Sequence, residues 1–116
     1  MEIVNGKIVD TKFGIEDHGI MTFFIDIESD GMGGAFGGYA LDTYDKKNKI
    51  RIGTGKGMDA VRCVLKTVGV SYWEDLKGKY VRCEIDDNKL VAIHNIIKNE
   101  RFSLIDFWNV KENDKV

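Results

Sequence analysis

Short stretches in which apolar and polar residues alternate constrain the fold of this chain more than any other feature. In residues 20–28 every second side chain is apolar, namely Met21, Phe23, Ile25 and Ile27. This two-residue period predicts a strand with one buried face. Residues 81–86 and 90–97 alternate in the same way on either side of Asp87-Asn88, which predicts a C-terminal β-hairpin.

One stretch has the period of an amphipathic helix instead. Its apolar side chains recur at i, i+3, i+4 and i+7, at Val61, Val64, Leu65 and Val68. We expect a helix over about residues 58–68, with Gly57 marking its start and Gly69 its end. Gly69 lies where a left-handed C-terminal cap is favoured.

The rest of the chain completes an α+β prediction. An earlier strand is expected over residues 6–13, a tight connection over residues 14–19, and a short helical turn over residues 72–76. The charged tail from Asn109 is expected to fray. The predicted fold is therefore an antiparallel β-sheet with one main helix and a C-terminal β-hairpin.

Length and composition exclude several classes of protein. The chain has 116 residues, 43% of them hydrophobic and 31% charged, which is typical of one soluble domain. We interpret residues 1–116 as a single domain. The sequence has no apolar run of about 18–20 residues that would predict a membrane span. The N-terminal residues lack the pattern of a signal peptide, so a cytoplasmic location is expected.

Charge and cysteine content narrow the possible ligands. The 17 basic and 19 acidic residues give a net charge of −2, which argues against a protein that binds long nucleic acids through a basic surface. A pocket that is basic only locally is compatible with this net charge. Cys63 and Cys83 are isolated in the sequence, so we expect two reduced, buried thiols and no metal site.

The segment from Arg51 to Asp59 is the first candidate site. Its glycines alternate with other residues directly before the predicted helix, at Gly53, Gly55 and Gly57, with Thr54, Lys56 and Met58 between and after them. Such a loop directs backbone amides toward one point, and the helix dipole adds positive charge there. Arg51, Lys56 and Arg62 would add full charges for a phosphate or pyrophosphate. Alternatively, the glycines merely turn the chain into the helix, and Asp59 would repel an anion.

The glycine-dense segment from Gly31 to Tyr39 is the second candidate. Phe36 and Tyr39 lie within it beside Gly37 and Gly38. An aromatic ring on a flexible loop stacks on a nucleotide base with about 1–3 kcal/mol per base. The alternatives are a strand with bulges in which Phe36 fills the core, or a subunit interface where glycines allow close approach.

Four other residues are candidates for single contacts. His18 lies in a predicted turn, where it is a general base, a ligand contact or a stabiliser of the turn. Asn95 is an amide on an apolar strand face, so it needs a backbone or ligand partner. Arg101 and Phe102 follow the last predicted strand and would pair a phosphate and stack a base, or pack on the sheet.

At this point the motifs resemble a known family, the first family of phage Thoeris anti-defence proteins. The similarity spans about residues 7–102 and rests on the order and spacing of five segments: Glu16-Asp17-His18-Gly19-Ile20, Phe36 to Asp42, Gly53 to Met58, Val68-Gly69-Val70, and Trp73 to Gly78.

The resemblance implies a sponge protein without enzymatic activity or cofactor. Members of that family bind a cyclic ADP-ribose signal made by a bacterial TIR-domain protein and hold it away from its effector. Some also bind cyclic oligonucleotides at separate sites. Their pockets lie between the subunits of a homo-oligomer in the host cytosol. We accordingly expect the ligand at His18, Phe36, Gly37, Gly38, Tyr39, Gly53, Thr54, Gly55, Lys56, Gly57, Met58, Arg62, Asn95, Arg101 and Phe102.

Two other functions are alternatives. The first is a hydrolase of such a nucleotide, with His18 as the general base. The second is a small module that binds single-stranded nucleic acid through Phe24, Phe36 and Tyr39. The acidic balance of the chain disfavours the second.

Overall fold

The computed structural model describes residues 2–30 and 32–109. Along the chain it contains the strands and helices β1 (Glu2–Ile15), β2 (Met21–Ser29), β3 (Met32–Gly37), β4 (Asp42–Asp45), β5 (Ile50–Gly53), α1 (Gly55–Val68), a 3-10 turn (Trp73–Asp75), β6 (Tyr80–Asp86), β7 (Lys89–Asn95), β8 (Arg101–Phe102) and α2 (Leu104–Asn109). The predicted α+β class is confirmed. No helix among these residues has the length and apolar character needed to cross a bilayer.

One antiparallel sheet with the strand order β3-β2-β1-β6-β7-β8 forms most of the fold. The long strand β1 belongs to both halves of this sheet, because its first half pairs with β6 and its second half with β2. Gly6 lies in this shared strand. A Cβ atom there would lie only 2.6 Å from Cγ2 of Ile27 and 2.9 Å from Sγ of Cys83, so glycine lets the two halves pack closely.

The sheet curls until its two sides approach each other. A Cβ on Gly34 in β3 would lie 3.7 Å from the Cβ of Leu90 in β7, and the rings of Phe36 and Phe102 meet edge to face at 6.0 Å. Along the chain, α1 lies between β3 and β6 of this six-stranded sheet, after the separate β4–β5 hairpin. The core lies inside the curl.

Helix α1 covers one end of the core and begins earlier than predicted. It starts at Gly55 rather than near residue 58, because Thr54 is its N-cap and accepts a hydrogen bond from the amide of Gly57. Its buried apolar face includes Ala60, Val61 and Val64. The predicted C-terminal cap is confirmed, since Gly69 is left-handed with φ of 90°.

The predicted hairpin is also confirmed. Strands β6 and β7 are joined by Asp87 and Asn88, both with positive φ, which is the conformation of a two-residue hairpin turn. Four features were not predicted: β1 reaches from residue 2 to residue 15, β4 and β5 form a separate two-stranded sheet, β8 pairs with β7, and α2 follows β8. Of the tail expected to fray, residues 110–116 lie outside the described residues, as does Gly31 in the glycine-dense segment.

Glu84 in β6 is a buried carboxylate at the centre of an ionic cluster. Its carboxylate accepts hydrogen bonds from Nε of Arg101 at 2.8 Å and Nη2 of Arg101 at 3.0 Å, and it lies 2.8 Å from Nε2 of His94. The bonds from Arg101, aided by His94, lower the pKa of Glu84 to about 2 although burial opposes this. These contacts hold β8 and β7 to β6.

We predict that Glu84→Gln lowers the free energy of unfolding by about 2–3 kcal/mol at neutral pH, because it removes a buried charge from bonded partners. The folded pKa lies below the ordinary value of 4.5, so the contribution of Glu84 is complete above that value and is lost as pH falls toward 2. Urea unfolding between pH 7 and pH 2 measures this. The exposed Glu74→Gln is the control, and an equal loss at pH 7 and pH 2 would contradict the prediction.

Candidate functional site

A groove of about 380 Å³ opens where the β1–β2 connection, the β4–β5 hairpin and the start of α1 meet. Its lining is mostly apolar with one ion pair and several glycines: Phe13, Ile15, Gly19, Met21, Leu41, Asp42, Arg51, Gly53, Thr54, Gly57, Met58 and Val61. Four of these, Gly53, Thr54, Gly57 and Met58, belong to the predicted ligand residues. The start of the helix therefore lies in a groove of ligand size.

The polar groups of Thr54 hold the start of α1 in place. Its Oγ1 donates to the carbonyl of Leu41 at 3.0 Å and accepts from the amide of Gly57 at 2.9 Å. The Thr54 amide also donates to the Leu41 carbonyl, at 3.4 Å. Thr54 is thus an architectural residue, and its hydroxyl is already used both as donor and as acceptor.

The glycines of this segment divide into two kinds. A Cβ on Gly57 would lie 2.0 Å from the carbonyl oxygen of Leu41, so this position is closed by backbone packing. A Cβ on Gly53 or on Gly55 would meet no atom within 4 Å, so both of these positions face open space. The loop that the sequence predicted as an amide cradle is therefore reduced to Gly53–Gly55, while Gly57 allows the helix to approach the chain at Leu41.

The charge in the groove comes from Arg51 and Asp42, which lie on the two strands of the β4–β5 hairpin. Nη2 of Arg51 donates to Oδ1 of Asp42 at 2.8 Å, and Oδ2 of Asp42 accepts from the amide of Met21 at 3.1 Å. The bond from Arg51 lowers the pKa of Asp42. Nε of Arg51 is buried and has no acceptor among the described residues.

The two other predicted cations do not line the groove. Nζ of Lys56 contacts the carbonyl of Trp108 at 3.3 Å and lies over the rings of Phe107 and Trp108, so it helps to hold α2. Since α1 begins at Gly55, the exposed Arg62 is about two turns into the helix rather than in its first turn. The same shift moves Asp59 out of the first turn, which removes the expected repulsion of an anion there.

The positions of Phe36 and Tyr39 do not fit the prediction that their rings stack on a nucleotide base. Phe36 is only 3% exposed and packs on the buried Phe102, so the interpretation of this segment as a strand with Phe36 in the core is the one the structure supports. Tyr39 is partly buried, with its ring against Trp108 at 5.3 Å. These rings are core residues that the sequence pattern did not distinguish from base-stacking ones.

The neighbouring positions 37 and 38 need glycine for structural reasons. Gly37 and Gly38 have φ of 130° and 89°, and a Cβ on Gly37 would lie 2.1 Å from the carbonyl oxygen of Phe23. They let the chain leave β3 tightly against β2. A role for their amides in ligand binding has no support from this placement.

Asn95 and Arg101 are occupied by protein partners. Nδ2 of Asn95 donates to the carbonyls of Thr67 and Val68 at 3.1 and 3.2 Å, and its Oδ1 accepts from the amides of Ile97 and Lys98 at 2.9 and 2.8 Å. The Asn95 side chain therefore links the end of α1 to β7. Its partners are backbone groups, which was one of the two alternatives that the sequence left open. Arg101 binds Glu84, as described above.

His18 lines a second, larger groove on the outer face of β1 and β2, with a volume of about 610 Å³. Its side chain is 82% exposed, and Nδ1 lies 2.8 Å from Oε2 of Glu16. The hydrogen bond with the Glu16 carboxylate raises the pKa of His18. Phe24 also lines this groove and is 38% exposed, so it alone of Phe24, Phe36 and Tyr39 offers a substantially exposed ring.

Cys83 does not have the environment of a reactive thiol. Cys83 is buried, and burial raises its pKa to about 11, so the sulfur stays protonated. Cys63 is only partly buried, so the prediction of two buried thiols holds for Cys83 alone, and the two cysteines do not form a disulfide with each other. Within residues 2–30 and 32–109, no three His, Cys, Asp or Glu side chains are grouped to hold a metal ion.

The groove residues that sequence reasoning missed come from the ends of two predicted strands, at Phe13 and Met21, and from β4, which was not predicted. Phe13 and Met21 flank the β1–β2 connection, and Asp42 begins β4. The one available signal was the turn-forming stretch Asp45-Lys46-Lys47-Asn48-Lys49 between residues 42–45 and 50–53, which is typical of a hairpin loop.

The difference between the closed position of Gly57 and the open position of Gly55 predicts different effects of substitution on stability. Gly57→Ala places a methyl group against the Leu41 carbonyl, and we expect it to lower the free energy of unfolding by about 1–3 kcal/mol. Gly55→Ala enters open space and exchanges glycine for a better helix former, so we expect no loss. Thermal unfolding of both variants measures this, and equal stability of the two would contradict the assignment of Gly57 to packing.

Comparison with known proteins gives no relative. No family model, no curated protein and no solved structure matches this chain.

Proposed function

We propose that this protein binds a cyclic ADP-ribose signalling nucleotide in the groove beside the start of α1 and sequesters it without cleaving it. The observation that carries the proposal is the combination in one groove of open backbone at Gly53 with an apolar lining. In this proposal the protein is a phage anti-defence protein of the Thoeris type, acting in the cytosol of the host bacterium.

The groove offers suitable chemistry for both parts of such a ligand. The start of α1 carries partial positive charge, and the Gly53–Gly55 backbone leaves room for a pyrophosphate to approach it. Arg51 adds a guanidinium beside that point. The apolar side chains of Phe13, Met21 and Met58 supply a surface for the flat adenine. Lys56, Phe36, Asn95 and Arg101 are not needed in this arrangement.

Binding without cleavage fits the polar groups that line the groove. Hydrolysis needs a nucleophile or a general base that is available to a reacting atom. The Thr54 hydroxyl is bonded on both sides, and the Asp42 carboxylate is ionised and bonded to Arg51. Sequestration needs neither group to react.

The proposal includes a homo-oligomer, with the groove at or near a subunit interface. Large apolar side chains are exposed at the rim of the groove and on the adjoining hairpin, namely Ile15, Ile50, Ile52 and Met58. Ile15 and Met58 lie together in the lining of the groove, and exposed apolar side chains that lie together are typical of surfaces that bind another protein. A second subunit would shield these side chains and enclose the ligand.

Calorimetry with cyclic ADP-ribose tests the proposal. We expect tight binding, recovery of the intact ligand after denaturation, and a mass above that of one chain by light scattering. Gly53→Val fills the open space in the groove and is expected to weaken binding at least tenfold. Gly33→Val is the matched control, because a Cβ there also meets no atom within 4 Å and Gly33 lies in β3 away from the groove. Absence of binding by the wild-type protein would refute the proposal.

A hydrolase is the second candidate, and the Glu16–His18 pair favours it. A histidine oriented by a carboxylate is the usual arrangement of a general base. If the protein cleaves the nucleotide, His18→Ala abolishes turnover, and product rather than ligand is recovered after denaturation. We expect instead no turnover by either protein and at most a modest loss of affinity in the variant, measured by chromatography of the released nucleotide.

A further inference from the structure

Asp42 lines the groove with unused capacity to accept hydrogen bonds. A carboxylate offers about four acceptor positions. The protein uses one on Oδ2, for the Met21 amide, and one on Oδ1, for Arg51. The side chain is only 8% exposed, and Arg51 keeps it ionised and fixed in orientation. The groove thus contains a fixed acceptor that cannot donate.

Arg51 supplies hydrogen-bond donors beside this acceptor. Its Nη2 is bonded to Asp42, but its buried Nε has no acceptor among the described residues. The Arg51 side chain is 29% exposed, and a guanidinium has five N–H donors, so Arg51 has further N–H groups that can donate to a ligand oxygen. An acceptor-only group and a donor-only group therefore lie side by side at one wall of the groove.

This pairing selects for a particular part of a ligand. A phosphate alone satisfies Arg51 and is repelled by Asp42. A ribose that carries both a phosphate and a free vicinal diol satisfies both residues, because its hydroxyl groups donate to Asp42 while a phosphate oxygen accepts from Arg51. Acidic side chains bind ribose hydroxyls in this way in other nucleotide-binding folds.

We propose that Asp42 is a specificity-determining residue that recognises a ribose diol and discriminates against deoxyribose and ribose 2′-phosphate. This inference rests on the proposed function, since it concerns the same groove. Charged hydrogen bonds of this kind are worth about 1.5–3 kcal/mol, which corresponds to a factor of roughly 10 to 150 in affinity.

The experiment compares cyclic ADP-ribose with two analogues, each lacking the 2′-hydroxyl of one of its riboses. We expect one analogue to bind the wild-type protein at least tenfold more weakly than the parent. Asp42→Asn keeps the size of the side chain and is expected to abolish this difference. Asp45→Asn is the matched control, because Asp45 lies in the same hairpin but bonds within the turn and does not line the groove.

An amide resonance gives a second readout that needs no variant. The Met21 amide donates to Asp42, so its NMR signal should shift with the parent nucleotide and shift less with the weaker analogue. Equal affinity of the parent and both analogues would overturn the role of Asp42 and leave the proposed function standing. Absence of binding by all three would overturn the proposed function and this inference together.

Discussion

The carbonyl of Leu41 makes the contacts on which the arrangement of the groove depends. It accepts from both the amide and the hydroxyl of Thr54, and Gly57 packs against it without a side chain. The Leu41 amide in turn donates to the carbonyl of Met21 in β2 at 2.8 Å. Leu41 thus ties the start of α1 to β2 of the sheet. The groove lies where the start of α1, the β1–β2 connection and the β4–β5 hairpin meet.

Two carboxylates also join separate elements of the fold. Asp42 joins the β4–β5 hairpin to β2 through Arg51 and the Met21 amide, and Glu84 joins β6 to β7 and β8 through His94 and Arg101. Each carboxylate is largely removed from water and stays ionised because a guanidinium is bonded to it. A near-neutral chain can therefore carry strong local charge. In the groove, that charge is a matched pair rather than a basic patch.

Prediction from the sequence succeeded where a pattern is local. The Asp87-Asn88 turn, the stripe of Val61, Val64 and Val68, and the cap at Gly69 each depend on neighbours within a few residues, and each was found. It failed where partners are distant in the chain. Asn95 binds the end of α1, and Phe36 packs on Phe102, whereas the sequence left a protein partner and a ligand as open alternatives for each residue.

Local patterns in the chain were enough to establish the α+β class, the main helix, the C-terminal hairpin and a glycine segment before that helix. The division of those glycines into open ones and ones closed by packing became evident only in the folded molecule. The pairing of Asp42 with Arg51 beside them also became evident only there. Periodicity records which face of an element is buried, whereas the groove is made by contacts between elements whose pairing leaves no local pattern.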